Sequence, residues 1–143
     1  MSPVPSAPRV HLHLPVTDLE ASTRFYTLLF DSDPVKSRPG YAKFLPDWSP
    51  LNLALTTAPS EVTRGGTREH YGLQVDDPAE VLFHLDRVRA AGIPVEPEMG
   101  VDCCHANQDK FWATDPDGRR WEVYHLNRDL PETVKAKACC APA

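Results

Sequence analysis

The feature that most restricts the fold is a repeat. His11, Leu14, Val16 and Asp18 recur as His70, Leu73, Val75 and Asp77, every pair at one offset (70 − 11 = 59). Each set lies on an alternating stretch followed by a helix start. Along residues 9–16, Leu12, Leu14 and Val16 fall on one face and His11 and His13 on the other, the period of a half-buried strand. Residues 70–75 repeat it, with Tyr71, Leu73 and Val75 opposite His70, Gly72 and Gln74. Thr17 and Glu20 then form a capping-box pattern. Asp77, Pro78 and Glu80 supply an N-cap, an N1 proline and an N3 acid. The second helix carries Val81, Leu85 and Val88 at helical spacing and stops near Gly92. The first carries Leu19, Tyr26 and Phe30 less regularly.

Short strands are expected after each helix, at roughly 34–37, 41–46 and 51–56, then at roughly 94–97, 109–114 and 119–126. Asp115-Pro116-Asp117-Gly118 is the turn between the last two. The fold class is therefore α+β: two βαβββ modules, about 9–60 and 68–126, in one domain spanning 9–130. Their strands are expected to form an open mixed sheet around a metal cavity, with the helices outside. Residues 1–8 hold three prolines and read as a disordered arm, and residues 131–143 as a flexible, cysteine-containing tail.

A length of 143 residues suits one domain with a real hydrophobic core. The net charge of −5 argues against nucleic acid as a partner. No run is long enough for a membrane span, and the N-terminus lacks the regions of a secretory signal. The expected location is cytoplasmic. The cysteines come as two adjacent pairs, Cys103-Cys104 and Cys139-Cys140. Neighbouring Cα atoms stand ~3.8 Å apart, closer than ordinary disulfides allow, so a bond within either pair is strained. In a reducing cytosol both pairs are expected as free thiols; bridges between the pairs stay open.

His11 and His70 hold equivalent places on the first strand of each module, and Glu122 shares a strand face with Arg120 and Tyr124. The corresponding strand of the first module sets Asn52 as the counterpart of Glu122 (122 − 70 = 52). Two imidazoles and one carboxylate leave coordination positions open, a set suited to non-haem Fe(II) and tolerant of zinc, nickel or manganese. His13 rivals His11, but its counterpart is Gly72. His84, in a helix, and His125, facing away from Glu122, read as structural or exposed. Cys103-Cys104-His105 is expected in a loop at the cavity mouth. Two adjacent thiolates can chelate a soft centre such as trivalent arsenic, with His105 assisting. Cys139-Cys140 could capture a soft ion or do nothing.

The opening HLHLPVTDLEASTRFYTLLF is similar to the first βα unit of the vicinal oxygen chelate superfamily. CCHANQDKFWATDPDGRRWEVY resembles the arsenic–carbon bond lyases, Fe(II)-dependent dioxygenases that degrade trivalent organoarsenicals; RPGYAKF and GGTREHYGLQV also fit. The resemblance spans about residues 9–126, and Cys139-Cys140 matches the cysteine-rich tail common in that family. It implies that His11, His70 and Glu122 bind the iron and that Cys103 and Cys104 bind arsenic. Dioxygen is then the co-substrate, and methylarsenite or aromatic trivalent arsenicals the small-molecule substrates. His105 departs from the aromatic residue more usual there, which opens the substrate preference, and His13 is an added histidine. Cadmium-induced proteins share the motif. Two other functions therefore stay in play: a glyoxalase-like metalloisomerase or thiol transferase, and a non-enzymatic cadmium- or metalloid-binding protein. A homodimer is compatible with all three.

Overall fold

The structure is a computed structural model that describes residues 8–63, 68–103 and 105–132. The arm up to residue 7 and the tail from residue 133 lie outside the described residues. So do Cys104, Cys139 and Cys140. The described chain divides after Val62 into two units.

The first unit is β1 (Val10–Val16), α1 (Leu19–Phe30), β2 (Lys36–Arg38), β3 (Tyr41–Phe44), β4 (Leu51–Thr57) and a 3-10 turn at Pro59–Glu61. The second is β5 (Tyr71–Gln74), α2 (Pro78–Ala90), β6 (Glu96–Cys103), β7 (Ala106–Thr114) and β8 (Arg120–Asp129). Each unit is thus a βαβββ module. Each builds a four-stranded sheet with the same wiring, β1-β4-β3-β2 in one and β5-β8-β7-β6 in the other. First and last strands pair in parallel across the helical crossover, and the remaining pairs are antiparallel.

Alternation places the cores. In the first unit Leu14, Val16, Ala42, Phe44, Leu53 and Leu55 are buried on one sheet face, where α1 packs on β3 and β4. Tyr26, Leu29 and Phe30 meet them from the helix, each fully buried. Full burial of such side chains contributes roughly 1.5–3 kcal/mol apiece. In the second unit Val81, Leu85 and Val88 of α2 are buried, and α2 packs on β7 and β8. The capping box of α2 is as expected: Asp77 Oδ1 accepts from Ala79 N at 2.7 Å, and Glu80 Oε2 accepts from Asp77 N at 3.2 Å. The first helix starts one residue later than its sequence pattern suggests. Asp18, not Thr17, is the N-cap, accepting from Ala21 N at 3.1 Å. A carboxylate one position nearer the free N–H groups serves them directly.

The Asp115–Gly118 turn is held by Asp115 Oδ1, which accepts from Asp117 N at 2.9 Å and from Arg119 N at 2.8 Å. Three strands outrun their expected limits, β8 by running on to Asp129. β6 continues to Cys103 and β7 begins at Ala106, because Gly100 (φ 62°) lets the ladder shift register between Glu98 and Val101 and then resume. Among the described residues no helix is long and apolar enough to cross a membrane.

Candidate functional site

Glu122 lies on β8, an inner strand between β5 and β7, and is 7% exposed. Lys110 of β7, 1% exposed, donates from Nζ to Glu122 Oε2 at 2.9 Å. Two charges so deep are costly to desolvate, and only a direct bond of this kind offsets that cost. The same Nζ donates to Cys103 Sγ at 3.6 Å. One ammonium group therefore touches both the carboxylate and the sulfur.

His70 stands on the other side of the carboxylate, just ahead of β5, with Nε2 3.6 Å from Glu122 Oε1. Its Nδ1 donates to the Arg68 carbonyl at 3.0 Å. A carbonyl only accepts, so this bond assigns a ring proton to Nδ1, and the neutral ring then carries its lone pair on Nε2. The ring is also fixed edge-to-face against Trp112, centroids 5.2 Å apart. Trp112 in turn has the Arg120 guanidinium 4.2 Å and the Lys110 ammonium 5.3 Å from its ring centre.

An imidazole lone pair and a carboxylate oxygen face each other at a distance too long for a hydrogen bond. That separation suits two ligands of one divalent ion bound at ~2.0–2.2 Å each. The Arg68 carbonyl is the kind of partner that orients a metal-binding histidine and selects its ligating nitrogen. The donor set thus fits a metal. Among the described residues no three His, Cys, Asp or Glu side chains stand close enough to hold one ion, so His70 and Glu122 are as far as the second unit goes by itself.

Tyr124 completes this face. Burial, then the charge of Glu122, push its phenol above the usual tyrosine range, so it keeps its proton. Its hydroxyl donates to Gln74 Oε1 at 3.5 Å.

In the first unit His11 lies on β1 with its ring 6.2 Å from that of His13. His13 Nε2 is 2.6 Å from Thr56 Oγ1, so this ring is engaged. Asn52, the register partner of His11 on β4, has its side-chain oxygen buried without a partner. The register corrects one equivalence. Gly72 pairs with Glu122 and His13 with Ala54, and the repeat equates Gly72 with His13 (72 − 59 = 13). The counterpart of Glu122 is therefore Ala54, not Asn52. The modules differ by nine residues between these partners (122 − 72 = 50 against 54 − 13 = 41), not by the eleven that offsets of 70 and 59 imply. The first module consequently offers no carboxylate at that position.

Cys103 is not on an exposed loop. It ends β6, pairs in register with Ala106 and is fully buried. It is also disulfide-bonded here, against the expectation of free thiols, and its partner cysteine lies outside the described residues. The expectation rested on a reducing compartment, which a fold does not specify. His105 is exposed at the turn with φ 69°. His84 is buried and accepts from Arg87 Nε at 3.0 Å, and His125 Nδ1 contacts Asn127 Oδ1 at 2.8 Å; neither reaches Glu122 by these contacts.

Lys110, Trp112 and Gly72 were not expected as site residues. The one local signal for Lys110 is its place directly before the apolar run Phe111-Trp112-Ala113.

Residues 9–123 match the family model described as the Glyoxalase/Bleomycin resistance protein/Dioxygenase superfamily. The chain is 45% identical over 121 residues to the cadmium-induced protein CadI of Mycobacterium tuberculosis, covering 85% of this chain and 78% of that one. It is 43% identical over 137 residues to the trivalent organoarsenical cleaving enzyme of Thermomonospora curvata, covering 94% and 89%. Among solved structures it resembles the fosfomycin resistance protein FosX of Listeria monocytogenes complexed with Mn(II) and sulfate. That match has a TM-score of 0.63 at 21% identity, covering 87% of this chain and 93% of the other.

Proposed function

The chain belongs to the glyoxalase/bleomycin resistance protein/dioxygenase superfamily, and from that premise we propose that it is an enzyme of arsenical detoxification. It cleaves the carbon–arsenic bond of trivalent organoarsenicals, releasing arsenite. The observation that carries this reading is the chain of contacts from His70 through Glu122 and Lys110 to Cys103. It joins an imidazole and a carboxylate, the residue types that would hold a divalent ion, to a cysteine sulfur through one ammonium group. The name of the Thermomonospora curvata relative supplies the arsenic chemistry.

His70 through Nε2 and Glu122 through a carboxylate oxygen would hold a divalent ion, with His11 as third ligand. His11 is preferred to His13 because Thr56 already engages the latter. Fe(II), when bound, supplies the activation of dioxygen, chemistry no side chain provides.

The rest falls to the protein. Cys103 and Cys104, once reduced, condense with R–As(OH)₂. Two As–S bonds form, two As–O bonds break, and two waters leave. The Lys110 ammonium beside Cys103 favours the anionic sulfur that must attack. Holding arsenic at two points orients the As–C bond before reaction. Pentavalent arsenicals fail as direct substrates because they form no such dithiolate.

The test is aerobic incubation of the Fe(II)-loaded, reduced protein with methylarsenite, followed by arsenic speciation. Catalytic release of arsenite supports the reading. The similarity to CadI favours a second one, stoichiometric metalloid or cadmium binding. Tight binding without turnover in air would select it.

A further inference from the structure

The two oxygens of Glu122 are not equivalent. Oε1 faces His70 Nε2 at 3.6 Å, whereas Oε2 accepts from Lys110 Nζ at 2.9 Å. A carboxylate can hold an ion through one oxygen or through both. Here the second oxygen is already engaged, and by a charge-assisted hydrogen bond, the strong kind.

The ammonium has nowhere better to go. Lys110 is 1% exposed, so it cannot turn to water. Among the described residues its other contacts are Cys103 Sγ at 3.6 Å and the Trp112 ring, with 5.3 Å to the centre. A sulfur and an aromatic face are poorer partners for an ammonium than a carboxylate oxygen. Its strand is fixed as well. β7 is an inner strand, hydrogen-bonded to β6 on one side and β8 on the other. Lys110 pairs there with Tyr124, and Trp112 with Glu122, so the lysine reaches the carboxylate diagonally from a set position.

We propose that Lys110 selects the metal: by holding Glu122 Oε2 it restricts the carboxylate to coordination through Oε1, which favours small divalent ions over larger ones. Lys110 is thus a positioning residue that acts through Glu122. The inference rests on the proposed function only for metal binding at Glu122, and the arsenic chemistry plays no part in it. The physical reason is bite. The two oxygens of one carboxylate lie close together and close on an ion most readily where bonds are long, ~2.3–2.6 Å for calcium against ~2.0–2.2 Å for zinc. Mn(II) is larger than Zn(II) at the same charge, so it loses more when the second oxygen is withheld.

Two measurements test this, neither of them turnover. Free thiols are alkylated first, so that cysteine sulfur does not compete for zinc. X-ray absorption of the Mn(II)-loaded protein reads the distance from the metal to the carboxylate carbon, which shortens when both oxygens bind. The long distance is expected in the parent and in Lys110→Arg, which keeps a cation with donors, and the short one in Lys110→Met. Chelator competition then gives the Mn(II) and Zn(II) affinities. Lys110→Met raises the Mn:Zn affinity ratio about tenfold, the order seen when a ligand's support is changed, and Lys110→Arg stays near the parent. A short distance in the parent, or an unchanged ratio in Lys110→Met, overturns the inference. Should Lys110→Met fail to fold, the distance in the parent decides. Glu122→Ala separates the two readings. If it binds both ions as tightly as the parent, the metal site itself is wrong and this inference falls with it. If it loses them while the parent shows the short distance, the metal site stands and the role of Lys110 alone is overturned.

Discussion

Gly72 stands opposite Glu122 in the parallel register of β5 and β8, and a Cβ at Gly72 would lie 3.1 Å from Glu122 Oε1 and 2.8 Å from the Tyr124 ring. The space that the carboxylate occupies exists because residue 72 has no side chain. Gly72→Ala must displace Glu122, Tyr124 or both. The expected outcome is a 10- to 100-fold loss of metal affinity, the usual order for disturbing a ligand's supports. Competition with a chromophoric chelator measures it, and near-normal affinity would remove Glu122 from the ligand set or show that Tyr124 alone yields.

Lys110→Met leaves the Glu122 carboxylate buried without its cation. Breaking one side of a buried pair costs about 3–5 kcal/mol, so the metal-free variant should melt well below the parent protein. A bound divalent ion replaces the lost positive charge. Zinc should therefore raise the melting temperature of Lys110→Met more than that of the parent. Equal shifts in the two proteins would show that Glu122 does not meet the ion.

Cys103→Ser, Cys104→Ser and the double variant should lose arsenical turnover to nearly the same extent, since members of a chelating pair act as a unit. Metal content should hold, because the proposed ligands His11, His70 and Glu122 lie outside β6. Near-normal turnover in either single variant would move the glyoxalase-like reading ahead. The parent protein should also need a thiol reductant, because a sulfur in a disulfide cannot bind arsenic; full turnover in its absence counts against thiolate capture.

His105→Gly tests the turn that joins β6 to β7. A side chain at φ 69° is in the left-handed region, where glycine is at ease. Relief of that strain should stabilise the protein by about 0.5–1 kcal/mol. Denaturant unfolding reads it, and a loss of stability would mean that the imidazole makes a contact worth more than the strain.

Much of this protein was legible along the chain because local periodicity carries it. The repeat of His11, Leu14, Val16 and Asp18 announced two βαβββ modules, and the Asp77–Glu80 cap and the Asp115–Gly118 turn are satisfied by neighbours in sequence. His70 and Glu122 were legible as candidates, His70 from the repeat and Glu122 from the alternation of its strand; their approach to 3.6 Å was not. Other features depend on partners far away in sequence. Lys110 reads as a surface lysine until β7 is laid between β6 and β8, where its ammonium meets Glu122 and Cys103. Gly72 reads as a gap in the repeat until the β5–β8 register sets it against Glu122. The equation of Asn52 with Glu122 failed for the same reason: it set the offset of the last strands at 70, whereas the register sets it at 68 (122 − 54), because backbone hydrogen bonds fix which residues stand side by side. The sequence by itself determined the modules, their helix caps and the chemistry available to them. Only the tertiary structure decided which of those groups touch, because pairing across strands is set by register, and register is a property of the folded sheet.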